Sequence, residues 1–202
     1  SALSVKNGAL NITTAKGDLT LANNNAENLV LQSANSDWTI ETKLSTSATP
    51  GNPGQNAGLV AYEDDDNFVK LVYANMSFGR GMRMPEAGAP ATGSVQLVAE
   101  DNGNNKTTVA VNLDSAADVI YLRLVKKGIS YTASYSLDGK TYTKLGETEV
   151  LLKDIQAGVM ATDGVRNAAM MRMPRGVTGM NMEDAAPITA SFDSFKITTS
   201  LK

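Results

Sequence analysis

The chain has 202 residues and a formal net charge of -3, from 18 Lys+Arg against 21 Asp+Glu. It therefore lacks the basic footprint of a nucleic-acid or anionic-membrane binder, and no nucleic-acid partner is expected. With 0 Cys and 0 His, thiolate and imidazole metal sites, disulfides, a cysteine nucleophile and a Ser-His-Asp relay are excluded, and carboxylates are left as the acid–base groups.

A chain of this size fits one β-type domain spanning 1–202. No run approaches the roughly eighteen consecutive apolar residues of a membrane span, so no transmembrane segment is expected. The start, Ser1-Ala2-Leu3-Ser4, has neither an initiator Met nor a basic segment followed by an apolar stretch, and reads as a trimmed beginning. A periplasmic or extracellular location is the expectation, and absence of Cys does not oppose export.

Polarity comes largely from 19 Thr and 17 Asn, a composition of strands joined by tight turns. Period-two alternation marks strands over 9–14, 38–44 and 58–62. In the strand over 38–44, Trp38 shares a face with Ile40 and Thr42, which makes it a core residue. Next comes Glu63-Asp64-Asp65-Asp66-Asn67, whose repelling carboxylates disfavour a strand and predict a turn into the strand over 68–73. A calcium loop is the functional alternative for this acidic run, but the Asp-x-Asp-x-Asp-Gly pattern with a distal Glu is not completed.

Residues 74–92 are rich in Gly, Pro and Met and predict a long connection. Strands follow over 95–99, 107–111, 119–125 and 129–135. In the last, Tyr131, Ala133 and Tyr135 share an inward face while Ser130, Thr132 and Ser134 turn out. Leu137-Asp138-Gly139-Lys140 places Gly where a tight turn needs positive φ, so 129–135 should pair with 142–145 across it. A strand over 155–161, a second long connection over 162–187 and a strand over 188–198 complete the chain. Many short strands without a long amphipathic helix indicate an all-β, two-sheet antiparallel sandwich.

Three residues on these strands are candidates for an outward-facing ligand surface. Arg123 lies between Leu122 and Leu124, Lys70 between Val69 and Leu71, and each must face away from its apolar neighbours. With Tyr62 they are expected to line the open face of a curved sheet. The two long connections hold eight of the nine Met and echo one another as Met82-Arg83-Met84-Pro85 and Met171-Arg172-Met173-Pro174. Arg83 and Arg172 join the carbohydrate-contacting candidates. The Met residues read as loop pins on the sandwich, as an adaptable apolar surface, or as a soft-metal site weakened by the intervening Arg.

No catalytic residues are assigned. A sandwich glucanase would carry Glu-x-Asp-x-x-Glu on one strand, because alternation brings those carboxylates to one face. The nearest match, Glu63-Asp64-Asp65-Asp66, has Phe68 where the closing Glu belongs. Glu183-Asp184 lies in a long connection, and Asp114 and Asp118 flank a short one.

The ordered segments Trp38 to Leu44, Ala57-Gly58-Leu59-Val60-Ala61-Tyr62, Asp66-Asn67-Phe68-Val69-Lys70-Leu71, Leu122-Arg123-Leu124, Tyr135-Ser136-x-Asp138-Gly139, Ala157-Gly158-Val159 and Phe192-Asp193-Ser194-Phe195 resemble the concanavalin A-like domain at the C-terminus of family 43 β-xylosidases and its stand-alone relatives. The resemblance implies a jelly-roll sandwich associated with plant-polysaccharide hydrolysis, in which the hydrolytic site belongs to a separate catalytic propeller domain. In that family the sandwich packs against the propeller, where the resemblance implies a role in closing one side of its pocket. Leu29-Val30-Leu31-Gln32-Ser33 stands here where xylosidase members carry an aromatic and paired-Arg segment, a departure from that role which moves the chain toward the stand-alone relatives. Concanavalin A-like sandwiches also imply a structural calcium between terminal strands, and Asp193 is the position this resemblance points to. A single carboxylate supplies few of the six to eight oxygens calcium takes.

The expected function is a non-catalytic carbohydrate-associated or carbohydrate-binding module, with an oligosaccharide or polysaccharide as partner. Two alternatives stand beside it: a glycoside hydrolase with carboxylates gathered from the long connections, and a protein-interaction module using Met82, Met84, Met171 and Met173.

Overall fold

A computed structural model describes residues 2–20, 23–51, 54–75, 92–164 and 186–199. Alternation of inward apolar and outward polar residues builds two antiparallel sheets from them. The first contains β1 (Leu3–Lys6), β2 (Ala9–Thr13), β6 (Trp38–Thr46), β11 (Val119–Lys127), β12 (Ser130–Ser136), β13 (Thr143–Glu149) and β15 (Thr189–Thr199), in the order β1-β2-β15-β6-β11-β12-β13. The second contains β5 (Leu29–Ser33), β7 (Gln55–Asp64), β8 (Asn67–Ala74), β9 (Ser94–Asp101), β10 (Asn104–Asn112) and β14 (Gln156–Asp163), in the order β10-β9-β8-β7-β14-β5. A small ribbon, β3 (Leu19–Thr20) with β4 (Asn23–Asn24), completes the described strands. The all-β sandwich expected from the sequence is the fold found, and each strand predicted above is present. No described helix is long and apolar enough to cross a membrane.

The core lies between the sheets. Ile40 and Leu44 of β6, and Ile120, Leu122 and Leu124 of β11, meet Leu59 of β7, Val69 and Leu71 of β8 and Leu97 of β9, all almost fully buried. Burying such a side chain contributes about 1.5–3 kcal/mol. Trp38 is buried as its alternation requires. Its indole N–H donates to the Ala34 carbonyl at 2.9 Å, and its ring meets Tyr131 edge-on at 6.1 Å.

The six-stranded sheet is buried on its second face as well. Leu19 of β3 packs with Val60, Phe68, Val72, Val98 and Met160. The segment carrying Leu19 is pinned down by main-chain bonds from Asp163 N to Ala15 O (2.8 Å) and Gly164 N to Gly17 O (3.1 Å). This cover explains why β7 and β8 read as near-continuous buried runs rather than as clean alternation.

Turns follow their residues. The Asp138 carboxylate accepts from Lys140 N, Thr141 N and Ser136 Oγ, each at 2.8 Å, and β12 pairs with β13 across the turn. Gly139 has φ +71°, and a Cβ there would stand 2.7 Å from the Tyr121 ring, so glycine serves both the turn and the ring beneath it.

Candidate functional site

Alternation does put Lys70 on the side of its strand away from Val69 and Leu71, but that side is roofed. Lys70 is 3% exposed. Its ammonium donates to Asp18 Oδ1 at 2.9 Å and to the Leu19 carbonyl at 2.6 Å, and lies 5.7 Å from the Phe68 ring centre. Asp18 is also buried, and its second oxygen accepts from Thr20 Oγ1 at 3.2 Å. Lys70 therefore ties the β3–β4 ribbon to the sheet, and its charge is spent inside the protein.

Tyr62 shares that outer face of the six-stranded sheet and packs against the Leu19 cluster. Its hydroxyl donates to Asp65 Oδ1 at 2.7 Å. Burial, and then the bond to Asp65, push the phenol pKa up. The neighbouring acids are each engaged separately. Asp64 Oδ1 caps the turn by accepting from Asp66 N (2.9 Å) and Asn67 Nδ2 (2.8 Å). Asp66 accepts from Asn24 Nδ2 at 2.6 Å, and Glu63 from Lys153 N at 2.7 Å. The turn itself is only Asp65-Asp66: Glu63 and Asp64 end β7 and Asn67 opens β8, paired with Asp64, so the acidic run closes a tight hairpin with its carboxylates splayed onto different partners.

Arg123 stands on the other sheet. The three residues expected on one face are therefore split: Tyr62 and Lys70 lie outside the six-stranded sheet, and Arg123 lies outside the seven-stranded one. The reason is topological, since β8 and β11 present the same local alternation to opposite sides of a shared core. Arg123 pairs across the ladder with Glu41 of β6, and its Nε–H donates to Glu41 Oε1 at 2.7 Å. The guanidinium lies 3.6 Å from the Tyr142 ring centre. Tyr121, two residues before Arg123, shares its face and sits opposite Lys43. Burial pushes the Tyr142 phenol pKa up, and the Arg123 charge offsets part of that.

The surface so assembled is half-exposed: the Arg123 and Glu41 side chains are 36% and 27% accessible. It offers planar N–H donors, a phenol and a carboxylate acceptor on paired strands and a second phenol, Tyr142, in the connection leading into β13, a set suited to the hydroxyls and apolar faces of a sugar. Tyr121, Tyr142, Glu41 and Lys43 were not singled out from sequence. Tyr121 was legible, because it alternates with Arg123. Glu41 needed the β6–β11 register, and Tyr142 the path of the chain leaving the Asp138 turn.

Asp193 sits at an irregularity of β15, and its carboxylate holds the Lys43 ammonium at 2.6 Å. This pairing raises the Lys43 pKa. A lone carboxylate already bonded to an ammonium does not fit calcium, and no cluster of three metal-ligating side chains occurs among the described residues. Arg83, Arg172 and the four Met residues of the echoed motif lie outside the described residues, as does Glu183-Asp184.

The family described as the beta xylosidase C-terminal concanavalin A-like domain matches residues 1–166. The chain belongs to this family. Among solved structures, the domain is similar to the GH43 BlXynB protein of Bacillus licheniformis, at 19% identity and TM-score 0.70, covering 98% of this chain and 35% of that one. It is also similar to a functionally unknown protein of Saccharomyces cerevisiae, at 15% identity and TM-score 0.68, covering 100% of this chain and 94% of that one. A carbohydrate binding module, CBM66, of Bacillus subtilis matches at 13% identity and TM-score 0.53, covering 98% of this chain and 91% of that one. At these identities the likeness shows the fold. The domain spans about a third of the length of the Bacillus licheniformis protein. No curated protein matches the chain.

Proposed function

We propose that this domain is a carbohydrate-associated module, non-catalytic on its own, that holds an oligosaccharide or polysaccharide against the outer face of its seven-stranded sheet. The observation that carries the reading is the Arg123 guanidinium stacked on Tyr142 and hydrogen-bonded to Glu41. Such a group is oriented before any ligand arrives, which lowers the ordering cost of binding. The C-terminal β-xylosidase family and the likeness to a carbohydrate binding module support it.

The separate engagement of Glu63, Asp64, Asp65 and Asp66 supports a role without its own hydrolytic pair, since glycoside hydrolysis needs two carboxyls facing one bond. A catalytic propeller domain of a glycoside hydrolase is the proposed protein partner, consistent with the share of the Bacillus licheniformis chain that the domain covers. A periplasmic or extracellular setting goes with this reading. Calorimetric titration with xylo-, arabino- and gluco-oligosaccharides tests it, alongside a reducing-sugar assay. Binding without turnover is the expected result; turnover, or no binding to any of the sugars, overturns it.

A further inference from the structure

Asn-Gly occurs twice in the chain, at Asn7-Gly8 and Asn102-Gly103, and both pairs form the two-residue turn of a hairpin. Asn7-Gly8 joins β1 to β2, with φ +54° and +80°. Asn102-Gly103 joins β9 to β10, with φ +52° and +69°. Local sequence and turn conformation therefore match, and the surroundings differ.

At Asn102-Gly103 every group needed for backbone attack is held. The Gly103 N–H donates to the Asp66 carbonyl at 2.9 Å, Asn102 Nδ2 donates to Asp101 Oδ1 at 2.7 Å, and Asn102 N donates to Asn67 Oδ1 at 2.9 Å. At Asn7-Gly8 both residues are exposed, and a Cβ on Gly8 would meet nothing within 4 Å. Neither the Asn7 side-chain amide nor the Gly8 N–H has a hydrogen-bond partner among the described residues. The strand before it, β1, is exposed along its whole length and among the described strands pairs only with β2, so the turn can flex without disturbing the core.

Two Asp-Gly pairs could undergo the related ring closure, and both are held. At Asp163-Gly164 the Gly164 N–H donates to Gly17 O, and the Asp163 carboxylate accepts from Gln55. At Asp138-Gly139 the carboxylate accepts three bonds and the Gly139 N–H donates to Ser136 Oγ at 3.0 Å.

We propose that Asn7 is a spontaneous modification site of this protein, the place where its native chain deamidates through a succinimide. The Gly8 backbone nitrogen loses its proton and forms a bond to the Asn7 side-chain carbonyl carbon. The carbon–nitrogen bond of the side-chain amide breaks, and ammonia leaves. Water then opens the ring at either carbonyl to give aspartate or isoaspartate, so the overall change is water in and ammonia out. The product carries one more negative charge. In its isoaspartyl form the backbone is one methylene longer at a turn that has room for only two residues, which loosens β1 from β2.

The test is to incubate the native chain and a urea-unfolded sample at mildly alkaline pH. Peptide mass spectrometry then quantifies aspartate plus isoaspartate at positions 7 and 102. In the native chain Asn7 is expected to convert roughly tenfold faster than Asn102, the factor set by the hydrogen bonds that must first break at Asn102. In urea the two rates should converge, and Asn7→Ala should remove the acidic species that accumulates first. A native rate at Asn7 equal to or below that at Asn102 overturns the proposal. So does a rate difference that persists unchanged in urea, because sequence rather than packing would then set it.

Discussion

The Arg123 guanidinium lies 3.6 Å from the centre of the Tyr142 ring while its Nε–H is bonded to Glu41 at 2.7 Å. Two residues from different elements thus fix one cation in place on the open side of the seven-stranded sheet. Stacking at a partly exposed site is worth about 0.5–1 kcal/mol, and a surface ion pair about as little. The arrangement therefore orients a side chain more than it stabilises the fold.

Arg123→Ala should accordingly lower folding stability by roughly 1 kcal/mol or less while abolishing glycan binding. Arg123→Lys keeps the charge but loses the planar stack and the directed bond to Glu41, so it should bind far more weakly than the native domain. Urea unfolding beside calorimetric titration separates the two effects. A loss of binding that follows loss of stability across these variants would count against the assignment.

Lys70 predicts the opposite behaviour. Its side chain and that of Asp18 are only 4% and 9% accessible, at 2.9 Å from one another. Lys70→Ala leaves a buried carboxylate without its main partner, and should cost about 3–5 kcal/mol. The double variant Lys70→Met with Asp18→Leu removes both charges and should recover most of that loss. Chemical denaturation of the three chains checks this. Single and double variants of equal stability would mean that the pair does not hold the β3–β4 ribbon down.

These two residues show what was and was not legible in the sequence. Alternation placed Lys70 and Arg123 correctly relative to their apolar neighbours, and Asp138-Gly139 announced its hairpin. Nothing in the local pattern said that Lys70 would be roofed, because the roof consists of two-residue strands, Leu19–Thr20 and Asn23–Asn24, too short to carry a period. The partnership of Arg123 with Glu41 spans 82 residues of sequence and depends on a ladder register that no short-range pattern specifies. Leu3–Lys6 was missed because it is exposed on both faces, so it shows no buried side.

The Asp138 turn predicts a pH dependence. Bonds from Thr141 N, Lys140 N and Ser136 Oγ hold its carboxyl pKa down to about 2, against an ordinary value of 3.8. A carboxyl held low in the folded state stabilises the fold fully above its unfolded pKa, and that contribution fades as pH falls through the folded value. The Asp138 contribution should thus be intact above about pH 4 and lost toward pH 2. Asp138→Asn retains an acceptor oxygen but not the titration, so it should flatten this part of the acid limb. Carbon-detected titration of the Asp138 carboxyl, with urea midpoints across the same range, measures both. A carboxyl titrating at its ordinary value would show that the turn bonds are not kept in solution.

Glycan binding at the Arg123–Tyr142 face is tested by an amide-resolved NMR titration of the domain with xylo-oligosaccharides, repeated with Tyr142→Ala. Shifts are expected to concentrate on β6, β11 and the turn between β12 and β13, around Glu41, Tyr121, Arg123 and Tyr142. Tyr142→Ala should abolish them and leave the remaining spectrum unchanged. Shifts that cluster on the outer face of the six-stranded sheet around Tyr62, or that survive Tyr142→Ala, would contradict it.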